Sequence, residues 1–281
     1  MNVRIIVDST VDLTDDIKKQ LTIVPLTVHF GETEYIDGVT INHKEFYEKL
    51  IESDVTPTTS QPTPDAFSKV FEEVKRNNET AVVITVSSKL SGTYQSATIA
   101  AADYPDNVIV IDGKTVAIGT GILAKLALKL RDEGLSAKEI AEILEKEKNN
   151  VFVIAMLDTL EYLKKGGRIS KTAAFAGSLL SIKPVAAIAD GEISILGKAR
   201  GSKQANNFLI TEIQKYGIDF NKPILLGYTG LGTELLEKYI EDSKCIWEGN
   251  VEKLDYTSIG SVVGTHAGPG AVAAAFFKTK E

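Results

Sequence analysis

Three short runs in the first half of the chain constrain the fold more than any other feature: Val3 to Asp8 (VRIIVD), Ala81 to Val86 (AVVITV) and Val108 to Asp112 (VIVID). Runs this short and this apolar suit strands buried on both faces, and stretches compatible with a helix follow each of them. That is the pattern of parallel βαβ units rather than of a sandwich. The first helix is expected from about Thr14, an N-cap ahead of Asp15 and Asp16, whose charges suit a helix N-terminus. Further helices are expected from near Gly92 and Thr115. Ser136 with Glu139 forms a capping-box pattern before Ile140, Ile143 and Leu144, whose spacing marks one buried helical face. That helix closes in Lys148, Asn149 and Asn150, so a boundary is placed there, with one domain over residues 1–150 and a second over 151–281.

In the second half the strands look joined by hairpins as well as by helices. VFVIAM opens it, and Asp158 and Glu161 bracket a short helix ending in Lys164 and Lys165 before Gly166 and Gly167. Pro184 is expected to stop the next helix. PVAAIA, then Asp190 and Gly191, then EISIL make a two-residue hairpin signal and imply antiparallel pairing. PILLGY and KCIWEG read as further strands, and the glycine-rich GTHAGPG as a turn.

Composition narrows the function classes. Of 281 residues, 43% are hydrophobic and 25% charged, enough to bury a core. A balance of 31 basic against 38 acidic residues, net −7, argues against a surface that tracks nucleic-acid phosphates. Cys245 is the single cysteine, and Asp8 falls where a signal peptide would still be apolar, so a reducing, cytoplasmic setting is expected. No run approaches the roughly 18 apolar residues of a membrane span, so no integral membrane segment is expected. His29, His43 and His266 lack metal-ligand spacing, and neither GxxxxGK[ST] nor GxGxxG after a strand is present. No metal or cofactor is therefore expected.

Four places could carry chemistry. In TSQPTP, Pro62 and Pro64 stiffen the backbone, Thr63 suits an N-cap, and Thr59 and Ser60 offer hydroxyls in a held loop. SSKLSGTYQSA follows a buried strand, where ligands of open α/β sheets sit, beside Asp8, Ser9 and Asp112. There Ser91 can cap a helix through its oxygen and also donate its hydroxyl to an anion, two compatible uses, and Gly92 allows close approach to the backbone. Arg200 follows the second-half hairpin, and His266 lies among Gly264, Gly268 and Gly270. By itself the arginine is as well explained by a surface ion pair, and the histidine by a structural role. A serine hydrolase using Ser91 and His266 is conceivable, although the GxSxG elbow is missing.

Six strings in one order, VDST, TSQP, SSKLSGTYQSA, LKKGGRIS, SIKPV and THAGPGA, resemble the DegV family from end to end. The resemblance implies an N-terminal three-layer α/β/α domain with a parallel sheet. It implies a C-terminal α+β domain with a mixed, mostly antiparallel sheet, and a long-chain fatty acid in the cleft between them. Family members bind the carboxylate with residues that correspond here to Thr59, Ser91, Arg200 and His266, with Gly92 beside Ser91. Some relatives hand the acid to a separate fatty acid kinase, which forms an acyl phosphate for phospholipid synthesis, so such a kinase is the expected protein partner. A distant likeness to the substrate-binding half of dihydroxyacetone kinases leaves an alternative, an enzyme transforming small hydroxyketones or esters through His266 or Ser91.

Overall fold

The computed structural model describes residues 2–169 and 181–279. The chain opens with β1 (Val3–Asp8), α1 (Asp15–Lys18), β2 (Thr22–Val24), β3 (Thr27–Phe30), β4 (Thr33–Ile36), α2 (His43–Glu52) and β5 (Thr58–Ser60). It continues with α3 (Pro64–Arg76), β6 (Thr80–Thr85), α4 (Thr93–Ala101), β7 (Val108–Asp112), α5 (Ile118–Asp132) and α6 (Ala137–Glu147). The three apolar runs are neighbours in a four-stranded parallel sheet, order β2-β1-β6-β7. Local chemistry sets the helix starts. Thr63 accepts from the Ala66 amide ahead of Pro64, and Ser136 and Glu139 close both halves of a capping box. Thr14 precedes α1 without a side-chain cap bond.

Between β2 and α3 the chain builds a second sheet, antiparallel, in the order β4-β3-β5. Its strands have three or four residues, too few for a periodic signal, and Thr59 sits in one of them rather than in a loop.

The second half runs β8 (Val151–Met156), α7 (Glu161–Lys165), β9 (Ile182–Ala189), β10 (Glu192–Arg200), α8 (Gly201–Tyr216) and β11 (Leu225–Tyr228). It ends with α9 (Glu234–Asp242), α10 (Lys244–Trp247), β12 (Tyr256–Ser258), α11 (Ser261–Ala267) and β13 (Val272–Phe277). Its sheet, in the order β10-β9-β8-β13-β11-β12, is antiparallel except for the β11–β12 pair. The Asp190–Gly191 hairpin forms where expected, with both residues at positive φ.

Three expectations are corrected. KCIW is a short helix, not a strand: the Ser243 hydroxyl donates to Tyr239 O and accepts from the Trp247 indole, which locks a helical turn. His266 lies in the last turn of α11, and the glycine turn starts only at Gly268. Pro184 is inside β9, where its carbonyl accepts from Leu157, and the helix expected ahead of it falls largely outside the described residues.

The two large sheets share one core because α5 is buried between them. Ile118, Ile122 and Ala124 pack in one cluster with Ile5 and Val82 of the parallel sheet and Leu225 and Ala275 of the mixed sheet. The opposite face of the mixed sheet is covered by α8 and α9, with Ile154, Leu209, Leu236 and Phe276 inside. Alternation along β13 divides its side chains between these two faces. Ile122→Ala should therefore cost about 2–5 kcal/mol and, because both sheets lean on this helix, lower the whole urea transition together. Loss of one sheet's signal ahead of the other's would contradict a shared core.

Candidate functional site

The carboxyl ends of the parallel strands form a rim that two carboxylates tie down, Asp8 buried and Asp112 half-buried. Asp8 accepts from the Thr10 amide and hydroxyl at 2.9 and 2.6 Å and from the Val86 amide at 2.7 Å, joining the ends of β1 and β6. Asp112 accepts from the Ser88 and Lys114 amides, both at 3.0 Å. These acids therefore shape the loops rather than face a ligand. Across the rim, Ser87 donates to Gly191 O at 2.7 Å, docking the β9–β10 hairpin tip on the first half.

Between this rim and the mixed sheet lies a cavity of about 330 Å³. Its walls are apolar: Val86, Val116 and Ile118 come from the first half, and Val153, Ile188 and Ile193 from the second. Alanines at 117, 155, 186, 187, 271 and 273 also line it, and their small side chains leave open a space that larger ones would fill. Ala117 is held at φ 57° by bridge pairing with Val11, a backbone position costly for any residue with a Cβ.

A polar cluster interrupts the apolar lining. The antiparallel sheet brings Thr59 to α11, where its hydroxyl lies 3.0 Å from His266 Nε2, 207 residues away in sequence. A Cβ on Gly166 would fall 2.1 Å from His266 Nδ1, so glycine is what lets the end of α7 close on the imidazole. Nδ1 is buried without a hydrogen-bond partner among the described residues. Arg168, just beyond, donates to Leu90 O at 3.2 Å and Gly166 O at 2.6 Å, so it joins the loop after β6 to α7. Ser91 accepts from the Thr93 amide and shares a hydrogen bond with the Thr93 hydroxyl at 2.8 Å. Gly92 is not a lining residue. Its open side is filled by Gln61, which lines the cavity and donates to Gly92 O and Ser96.

Thr59, Ser91 and His266 thus line the same cavity. Arg200 does not: it ends β10 as the residue capping α8, exposed, with its amide donating to Gln204. The guanidinium in the lining is that of Arg168, which composition and local pattern do not single out because its position depends on how Gly166 packs against α11. Thr10 and Gln61 line the cavity as well.

Burial, reinforced by the neighbouring Arg168, pushes His266 down to about 4, so at neutral pH the ring is uncharged. The cluster then offers a permanent cation, two hydroxyls and a neutral imidazole, a set suited to one carboxylate-sized anion. Ser91 and His266 are each bonded elsewhere, to Thr93 and Thr59, and not to one another, so these two do not form a nucleophile–base pair. Among the described residues, no group of three or more His, Cys, Asp or Glu could hold a metal ion, and no helix is long and apolar enough to cross a membrane.

Comparison with known proteins agrees with this architecture. The family model described as uncharacterised protein, DegV family, matches residues 2–279. A DegV domain-containing protein of Caldanaerobacter subterraneus is 35% identical over 283 residues, covering 99% of each chain. Among solved structures, a fatty acid-binding DegV family protein from Thermus thermophilus superposes with a TM-score of 0.89 at 32% identity, over 99% of this chain and 100% of that one. A stearic acid-binding protein from Eubacterium ventriosum gives 0.86 at 28% identity, over 98% of both chains. With matches that span both halves, this chain belongs to the DegV family.

Proposed function

We propose that the protein binds one long-chain fatty acid, its tail in the cavity between the sheets and its carboxylate at Thr59, Ser91 and His266, and presents it to a separate fatty acid kinase. The observation that carries this reading is the union of a largely apolar cavity of about 330 Å³ with a polar cluster containing Arg168. Fatty acid binding by structural relatives supports it. Arg168 takes the cationic role in place of Arg200, and Gly92 lets Gln61 close beside Ser91.

The energetics divide the labour. Each buried methylene contributes about 0.8 kcal/mol, so a sixteen-carbon tail yields on the order of 10 kcal/mol gross. Association costs several kcal/mol or more, which leaves the tail to set affinity and the polar cluster to set orientation. A carrier of this kind needs no nucleotide motif and no general base of its own. The chemistry belongs to the kinase, which would phosphorylate the carboxylate to an acyl phosphate for phospholipid synthesis in the cytoplasm.

Organic extraction of the purified protein followed by mass spectrometry should recover one fatty acid per chain. If none is recovered and added oleate or palmitate does not bind, the reading fails. Ser91→Ala and Thr59→Ala should each weaken binding by about 1–2 kcal/mol, the loss of a hydrogen bond to a charged group. Acyl phosphate formation by the kinase should fall further, by roughly a hundredfold, because the reacting oxygen is misplaced. Equal losses in binding and transfer would contradict an orienting role.

His266 adds a test with a definite sign. Without ligand the ring should titrate near 4, and a bound carboxylate, favouring the imidazolium, should move it upward. Starting so low, it stays neutral at pH 7 unless the rise exceeds three units. NMR titration of the ring protons, with and without fatty acid, measures this. A ligand-free value near the ordinary 6.5 would contradict the burial beside Arg168, and a downward move on binding would place the carboxylate elsewhere.

A further inference from the structure

The two hydroxyls assigned to the carboxylate stand on separate segments, and their own bonds do not fix one against the other. Thr59 reaches His266, and Ser91 reaches Thr93 inside its own turn. The residues that follow β5 supply the link. Side chains alternate across a strand, so Thr59 shares the face of its pairing partner Val28, which is buried, while the Ser60 hydroxyl turns to His29 Nε2 at 3.0 Å. The alternation returns Gln61 to the side of Thr59, where it lines the same cavity. Pro62, itself buried, restricts Gln61 to extended backbone just ahead of α3.

From there the Gln61 side chain crosses to α4. Its Nε2 donates to Gly92 O at 3.2 Å and to Ser96 Oγ at 3.0 Å, 31 and 35 residues further along the chain. A carbonyl oxygen only accepts, so the NH2 of the amide has to face it and the amide has one orientation. Gly92 is the capping residue of α4, and its carbonyl also accepts from the Ser96 amide. Gln61 therefore grips the first turn of α4 at the residue next to Ser91. The grip requires glycine, because a Cβ on Gly92 would collide with the Gln61 amide, although a φ of −75° there suits any residue.

We infer that Gln61 is a positioning residue: its amide sets the separation of Thr59 and Ser91 so that both hydroxyls meet one carboxylate, and this gives the site its preference for acids over uncharged lipids of the same length. The inference rests on the fatty acid reading above. Gln61 acts without touching the ligand, because it lies two positions from Thr59 in one segment and bonds to the residue after Ser91 in the other. Two hydroxyls can donate to one carboxylate together only while their spacing matches its oxygens, so a small displacement of either costs the pair its joint action. The tail is indifferent to that spacing, since the burial of methylenes has no preferred direction. Loss of the amide therefore acts on the head group and spares the tail.

The test compares palmitate with 1-hexadecanol, each measured by displacement of cis-parinaric acid. Gln61→Met keeps the length of the side chain without its donors. It should weaken palmitate by about three- to tenfold, the worth of a hydrogen bond, and hexadecanol by less than about twofold. Gly92→Ala, which displaces the Gln61 side chain, should give the same pattern, and it should add nothing in a Gln61→Ala background, where the space is empty. Ser96→Ala, outside the cavity lining, should lose part of the palmitate affinity in the wild type and none in Gln61→Met. Equal losses for the two ligands, or unchanged palmitate binding in Gln61→Met, overturn the positioning role and leave the fatty acid reading standing. Additive effects of Gly92→Ala and Gln61→Ala overturn the grip on α4 as its cause. A wild-type protein that binds neither cis-parinaric acid nor palmitate overturns the fatty acid reading and this inference with it.

Discussion

The burial of α5 between two sheets is the constraint on which the rest of the molecule depends. A helix needs about 10 Å of space between the surfaces it separates, and both sheets pack on this one along its length. Where α5 begins, at Ala117 and Ile118, that space continues without a helix to occupy it, lined instead by valine, isoleucine and alanine. The cavity is thus a consequence of the spacer ending. Larger residues at Ala155, Ala187 or Ala273 would close it at once.

The polar cluster has a different origin, because its members come from four distant segments. The β3–β5 pairing fixes Thr59, the loop after β6 carries Ser91, the end of α7 leads into Arg168, and α11 brings His266. The Thr59–His266 and Arg168–Leu90 hydrogen bonds join these segments around the cavity. A cation beside a buried imidazole keeps the imidazole neutral, which leaves the guanidinium as the permanent charge for an anion to meet.

Much of this was legible in the sequence, for reasons tied to local chemistry. The uninterrupted apolar runs mark parallel strands because both faces are buried, and the Ser136–Glu139 and Thr63–Pro64 starts are encoded within four residues. Thr59, Ser91 and His266 stand out locally as hydroxyls and a histidine beside glycines and prolines, while a carboxylate-binding role for them is implied only by the family resemblance. What was not legible depends on long-range packing. Strands of three or four residues carry no period, so the β4-β3-β5 sheet is not legible in the sequence, and Lys244–Trp247 is too short for a helical pattern to outweigh its apolar content. Arg168 and Arg200 are equally plain as isolated arginines; only the approach of Gly166 to His266 distinguishes them.

The most direct test of a tail between the sheets and a carboxylate at the cluster is a crystal structure with a fatty acid carrying bromine on its terminal carbon, located by anomalous scattering. The expected result places the carboxylate within hydrogen-bonding distance of Thr59, Ser91 or His266, and the bromine among the alanines and valines that line the mixed sheet. Bromine beside His266, or an acid bound outside the space between the sheets, would contradict it.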